Sequence, residues 1–287
     1  MSFALAKWIH SRRLNRWRAY QFAATVAKRV AFRRGDDLPE PYYEVNLASL
    51  RLRIPYSLAN DYLLKSHEPE TMQYILRRLR QGSVFVDVGA NIGYYSALAA
   101  AAVRPDGRVY AVEPSSRNLR FLVDNVQRNG LAQVKVLASA AGSSRGKARL
   151  FKGGTGVTDS LIPPDAEPLG HEDVPIVPLD EMIGGRIDLV KIDVEGAEID
   201  VLNGMTRLIA DSPGIDLIVE WNPSWLRQAG KPVCSVPDWL RAHDFMVTLL
   251  DADGAGLDQI LCDLEAGRLH PRWWCNVLGR RVADGSE

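Results

Sequence analysis

From residue 84 onward the chain repeats one pattern: four or five apolar residues, a turn of glycine, acid or asparagine, then apolar residues at helical spacing. Residues 84–88, 108–112, 134–138, 189–192, 217–219, 246–250 and 274–278 read as strands, and 92–103, 116–129, 198–209 and 236–243 as helices. Strands separated by helices need crossover connections, which are right-handed and give a mostly parallel sheet with helices on both faces. DADGAGLD, residues 251–258, is turn-rich, so the last two strands, with no helix between them, are expected to form an antiparallel pair at one edge. Ahead of this unit, 71–80 reads as a helix opened by Glu68-Pro69-Glu70, with proline in the first turn and acids at the positive end of the dipole. Residues 42–56 alternate like a small β-hairpin turning near Ala48-Ser49, and 3–34 carry apolar residues at helical spacing among bases. The organisation expected is a basic helical leader over 1–41, a hairpin and helix over 42–81, and an α/β domain over 82–287.

Composition changes this picture little: 287 residues, 46% apolar and 24% charged, describe a globular chain. Charge placement changes it more. Residues 1–35 hold nine bases, among them Lys7, Arg12, Arg13, Arg33 and Arg34, and no acid, which leaves 26 bases against 35 acids in the remaining 252 residues. A neutral chain with an acidic body has no field to attract nucleic acid. Trp8, Trp17, Tyr20 and Phe22 beside those bases suit peripheral contact with an anionic membrane surface; a helical lid packed on the main domain is the alternative. Cys234, Cys262 and Cys275 form neither a disulfide framework nor a zinc motif, which fits a reducing compartment. The apolar run 94–103 falls short of the ~18 residues that a membrane span needs, and no signal peptide pattern is present. The expectation is a cytoplasmic protein, with membrane contact through 1–35 left open.

The chemistry begins at VFVDVGANIGYY, residues 84–95. Ligands of such sheets sit outside the carboxyl ends of the strands, where Asp87, Gly89, Asn91 and Gly93 follow the first of them. Gly89 allows close backbone approach and Gly93 allows the next helix to pack closely. A dinucleotide fingerprint would need glycine at Asn91 and Tyr94, and Asp87 asks for a cation rather than a pyrophosphate. Glu113, 24 residues past Gly89 and followed by Pro114, is placed to accept both ribose hydroxyls of an adenosine. An adenosine at one end and an ammonium at the other describe S-adenosylmethionine.

Methyl transfer from a sulfonium is an in-line displacement, and an alcohol acceptor needs a base within hydrogen-bond reach. The fourth strand supplies Lys191, Asp193 and Glu195 at alternate positions, on one face if the extended conformation persists. Asp193 is the first candidate for base or acceptor contact, beside the cofactor, and Glu195 the second. Lys191 tunes them or stabilises an alkoxide; a Lys191–Asp193 ion pair that braces the strand end is the alternative. Glu198 reads as a cap of the next helix. The fifth strand ends in Glu220, Trp221 and Asn222, of which Glu220 and Asn222 fall beside Asp193, while Trp221 either walls an acceptor pocket or packs in the core. Carboxylates at 193, 195 and 220 are able to collect a divalent cation, but with no histidine fixed nearby no metal is expected. Asn222-Pro223-Ser224-Trp225 is similar to the N-P-P-Y motif of amino-group methyltransferases, which follows the fourth strand rather than the fifth; N-methylation of an amide or base is therefore an alternative. Residues 153–178 read as a long connection covering the substrate, with His171 an alternative base. His67 and Glu68 either cap the first helix or reach the cofactor.

VFVDVGANIGYYSALAA, VYAVEPSSRNLRFLVDNVQRNG, DLVKIDVEGAEIDVLNGM and IVEWNP, in this order, resemble the FkbM-type family of S-adenosylmethionine-dependent methyltransferases, over about residues 68–280. The resemblance implies a class I methyltransferase fold, Rossmann-like, with a seven-stranded sheet whose final strand is antiparallel. It also implies O-methylation of hydroxyls on small-molecule acceptors: sugars, glycolipids or polyketide-type natural products. In LASAAGSSRG, Ser139 stands where the resemblance leads one to expect asparagine, which bears on the adenine-side contacts at Ser139, Ala140 and Ala141. A cofactor-binding scaffold without turnover is the remaining alternative.

Overall fold

The computed structural model describes residues 31–33, 38–47, 49–58, 68–153, 159–164, 167–270 and 273–281. The leader read as helical, the membrane contact expected of it, and His67 fall outside the described residues, except that Ala31–Arg33 is a strand, β1, and not helix. It pairs antiparallel with β2 (Tyr42–Leu47), which pairs with β3 (Leu50–Pro55), so the expected hairpin is part of a three-stranded sheet. The free edge of β3 docks on the domain through side chains: Asn125 Oδ1 accepts from Arg53 N at 2.7 Å, and Asn129 Oδ1 from Arg51 N at 2.7 Å. Tyr42, Leu52, Ile54 and Leu58 share one core with Phe85, Tyr95 and Phe121.

Helix α1 (Pro69–Arg78) precedes β4 (Val84–Val88), α2 (Tyr94–Val103), β5 (Arg108–Val112), α3 (Ser116–Arg128) and β6 (Val134–Leu137). YYSALAAAAV has no polar face, as a helix enclosed on all sides requires, and α2 buries Tyr95 to Ala100. Amphipathic α3 instead buries Asn118, Phe121, Leu122 and Asn125 at helical spacing. The expected long connection holds β9 (His171–Val177), which joins β7 (Ala140–Ala141) and β8 (Gly146–Phe151), ahead of it, in a second small sheet of order β7-β9-β8. Helix α4 (Leu179–Met182) leads into β10 (Leu189–Ile192).

The helix expected over 198–209 is two, α5 (Glu198–Asn203) and α6 (Thr206–Ala210). Between them Gly204 lies against the second sheet, where an added Cβ would stand 2.0 Å from the Gly142 carbonyl oxygen. β11 (Asp216–Trp221), α7 (Pro223–Gln228), α8 (Ser235–Ala242), β12 (Met246–Leu250), α9 (Leu257–Glu265) and β13 (Cys275–Arg280) complete the chain. α9 was not expected; Ile260 and Leu264, one turn apart, bury its single apolar stripe.

The main sheet has the order β12-β13-β11-β10-β4-β5-β6. β4, β5, β6, β10 and β11 run parallel, and β13 pairs antiparallel with both β11 and β12. This is the mostly parallel seven-stranded class I methyltransferase sheet, with the antiparallel pair at one edge and β12 outermost. The order reverses at β4, which opens a crevice at the carboxyl ends of β4, β5 and β10. Among the described residues no helix is long and apolar enough to cross a membrane.

Candidate active site

A cleft of about 880 Å³, its open mouth included, occupies that crevice. Its walls come from the loops after β4 (Gly89, Ala90, Asn91), β5 (Glu113, Pro114), β6 (Ser139, Ala140, Ala141) and β10 (Asp193, Val194, Glu195), with Leu150 from β8 and Asp159 and Leu161 from the connection between β8 and β9.

The turn after β4 is set by three left-handed residues, Gly89 at φ 80°, Asn91 at φ 51° and Gly93 at φ 83°. Gly89 and Ala90 donate their N–H groups to the Val112 carbonyl at 2.9 and 3.0 Å, which fixes this loop to the end of β5. A Cβ on Gly89 would lie 1.9 Å from the Asp193 carbonyl oxygen, so the close approach expected at this glycine is to the β10 loop as well as to the cleft. Gly93 is off the cleft wall; a Cβ there would meet Leu122 Cδ1 at 2.5 Å, the helix packing expected of it. Glu113 is buried, its Oε2 accepting from Asn91 N and its Oε1 from Ser115 N, both at 2.8 Å. Burial pushes its carboxyl up to about 7 against those donors. Asn91 Oδ1 is buried in the cleft wall without a hydrogen-bond partner. Ser139 lines the wall, but its hydroxyl donates to the Ala140 carbonyl at 2.8 Å, so its side chain is committed to backbone.

Asp87 differs from expectation. It is not in the cleft wall; its carboxylate faces α2, accepts from Ser96 Oγ at 2.6 Å and is 2% exposed. Burial raises it to about 6. Register explains the placement: Asp87 pairs with Lys191 across β4 and β10, side by side within the sheet. Asp87 therefore lies beside Lys191 within the sheet and favours its charge.

At the other end, the fully buried Lys191 places Nζ 2.6 Å from Asp193 Oδ2, 3.8 Å from Glu68 Oε2 and 4.9 Å above the Tyr95 ring. Burial opposes its charge, but Asp193 and Glu68 outweigh burial and raise its pKa. Lys191 is thus a fixed cation that orients Asp193, the bracing ion pair considered above, with Asp193 itself still at the cleft. Glu68 completes the network, accepting from Tyr95 OH at 2.9 Å and Asn276 Nδ2 at 3.0 Å. Extended backbone ends at Ile192; Glu195 at φ 53° and Gly196 at φ 99° form a turn instead. Even so, Asp193, Glu195 and Glu220 each bring one carboxylate oxygen within 4.8 Å of the others. Burial, then the charge of Asp193, pushes both Glu195 and Glu220 well above the ordinary range. Glu198 stands in the first turn of α5 and accepts from Gly196 N at 2.9 Å, ahead of the helix; the N-cap is Ala197 and no side chain caps α5, so the expected capping role is not found.

The remaining fifth-strand assignments need correction. Trp221 does not wall the cleft: it is fully buried in the core, donates Nε1–H to the Val233 carbonyl at 2.6 Å and meets Trp273 edge-on. Asn222 also lies off the cleft wall and is the N-cap of α7, its Oδ1 facing Ser224 N at 3.2 Å and Trp225 N at 3.5 Å. Glu220 sits behind the wall, 8% exposed. His171 is an exposed end residue of β9, away from the cleft. Asp159 was missed: it accepts from Ser115 Oγ at 2.9 Å and pairs with Lys152 at 3.5 Å, while Lys152 also contacts Glu172, and together they tie the second sheet to the β5–α3 loop.

The donor set fits an adenosyl amino acid: an acceptor carboxylate for a diol, an orphaned amide oxygen at Asn91, a turn that only glycine permits, and a surplus of carboxylates at the far end. The Methyltransferase FkbM domain matches residues 87–256, which spans these loops. The chain belongs to the FkbM methyltransferase family. Among curated relatives of this FkbM protein, Methyltransferase sdnD of Sordaria araneosa is 29% identical over 189 residues, 54% of this chain and 72% of that one. The probable cobalt-precorrin-6B C(15)-methyltransferase (decarboxylating) of Sulfolobus acidocaldarius is 26% identical over 179 residues, 58% of this chain and 86% of the other. Among solved structures, methyltransferase FkbM from Methylobacillus flagellatus KT is 18% identical with a TM-score of 0.46, covering 92% of this chain and 58% of that one. The FkbM chain described here therefore spans somewhat over half the length of that relative. Family membership makes it an S-adenosylmethionine-dependent methyltransferase.

Proposed function

We propose that the protein methylates a hydroxyl group on a saccharide, a glycolipid or a glycosylated metabolite. The observation that carries this reading is Asp193, held by Lys191 on one oxygen and open to the cleft beside Glu195. Bound S-adenosylmethionine supplies a methyl group on a positively charged sulfur. Of the residues that line the cleft, Glu113 would hold the ribose hydroxyls, with Asn91 and Pro114 beside it, and Ser139, Ala140 and Ala141 would wall the adenine side. Asp193 takes the proton of the acceptor hydroxyl as its oxygen becomes nucleophilic, a step worth about 10² to 10⁴ in rate. Glu195 lines the acceptor side, and Lys191 holds Asp193 in one orientation by a charge-assisted hydrogen bond. Leu161, whose neighbour Ser160 donates to the Glu195 carbonyl at 2.8 Å, gives that side an apolar residue, while Leu150 packs with Ala140. The basic residues of 1–35 accord with an acceptor carried on an anionic surface.

Incubation with cofactor carrying a labelled methyl group tests this reading against soluble sugars, glycosylated metabolites and lipid-linked sugars in anionic vesicles. We expect label on a hydroxyl oxygen of at least one class. Label only on amide, base or carbon acceptors would overturn the hydroxyl reading. Tight cofactor binding with no transfer to any acceptor would favour a scaffold.

A further inference from the structure

The carboxylates of Asp193, Glu195 and Glu220 have a geometry that general-base chemistry alone does not call for. One oxygen from each lies within 4.8 Å of the others, the spread that ligands of a single ion adopt when each stands ~2.1 to 2.5 Å from it. Glu220 is more than nine-tenths buried, and its Oε2 has no hydrogen-bond partner, nor has the buried Oε2 of Glu195. Lys191, the cation beside them, is already shared between Asp193 Oδ2 and Glu68 Oε2. Buried carboxylate oxygens without donors are costly, and a cation between them removes that cost. The donors are all oxygen, with no histidine or thiolate among the three, which favours a hard ion over zinc or copper.

We propose that Asp193, Glu195 and Glu220 form a binding site for one hard divalent cation of the Mg²⁺ or Mn²⁺ class. The elements explain how the site is built. Asp193 follows β10, the left-handed turn at Glu195 and Gly196 swings the second carboxylate back, and Glu220 comes from the end of neighbouring β11. Three protein ligands leave room in an octahedral shell for water and for the oxygen of an acceptor, and Asp193 and Glu195 line the cleft from which an acceptor would enter. The ion's use rests on the hydroxyl-acceptor reading. With the ion bound, Asp193 would be its ligand and not the base: the bound hydroxyl would lose its proton more easily to water at the open mouth of the cleft, its O–H pair would form the bond to the methyl carbon, and the pair of the broken S–C bond would stay on sulfur.

The test is a Mn²⁺ titration of the full chain after chelator treatment, with free Mn²⁺ read by its paramagnetic resonance signal. S-adenosylhomocysteine binding is measured by calorimetry on the same samples. We expect one Mn²⁺ per chain in the wild type, and binding at least tenfold weaker in both Glu195→Gln and Glu220→Gln. Wild-type protein that leaves Mn²⁺ free up to millimolar concentration, with and without S-adenosylhomocysteine, overturns the site. So does binding that both variants retain unchanged, because the ion then sits elsewhere. If Glu220→Gln does not fold, the wild-type and Glu195→Gln titrations decide. Homocysteine-nucleoside binding that persists in chelated protein separates a failed metal site from a failed methyltransferase reading.

Discussion

Asp193→Asn is expected to lower turnover by about 10² to 10⁴ while cofactor affinity stays within a few-fold of the wild type. Asparagine keeps the shape and still accepts the hydrogen bond of Lys191, but it takes no proton from an alcohol. Lys191 would retain Glu68 at 3.8 Å as a countercharge, so the variant is expected to fold, at a cost of about 1.5 to 3 kcal/mol for the lost charge-assisted bond. With a hydroxyl acceptor in hand, kcat and kcat/KM should fall together. A collapse of cofactor affinity with turnover preserved at saturation would move Asp193 from the acceptor to the cofactor.

Gly89→Ala is expected to be the most damaging single-methyl change in the described chain, on the order of 4 kcal/mol, with loss of cofactor binding. Two costs combine. A non-glycine residue at φ 80° is strained by about 1 to 2 kcal/mol, and the new Cβ falls 1.9 Å from the Asp193 carbonyl oxygen, backbone that cannot move without displacing the end of β10. Gly82→Ala separates the two, since Gly82 has φ 84° and open space around its Cβ position; it should lose only the strain. Denaturant midpoints of the two variants measure the difference. Equal midpoints would mean that the approach of the β4 and β10 loops is not a tight constraint.

Much of this site was legible because parallel strands buried on both faces appear as unbroken apolar runs, and the polar residues that end them stand out. Gly89, Asn91, Glu113 and Asp193 were found in that way. The same burial hides which face a side chain takes. Asp87 was placed at the cleft, and Trp221 left between cleft and core, because each stands at the end of a strand, yet Asp87 faces Ser96 and Trp221 packs in the core against Trp273. Strands β8 and β9 were missed because they are mostly exposed or half-buried, so their few buried residues, Leu150 and Val174, leave almost no pattern. Glu68 and Asn276 meet across 208 residues of sequence, a contact that no local spacing encodes.

The central claim is that Glu113 marks the ribose end of an S-adenosylmethionine site. Calorimetric titration of the cofactor into wild type and Glu113→Ala tests it most directly. Removal of a charged acceptor should weaken binding by about 1.5 to 3 kcal/mol, roughly ten- to more than a hundredfold. Because burial raises the Glu113 carboxyl to about 7, the free protein is protonated there below neutrality, and wild-type affinity should fall as pH drops from 8 to 6, by up to about tenfold per unit below 7. In the variant that dependence should vanish. Equal affinities for the two proteins, flat across the same pH range, would contradict the account.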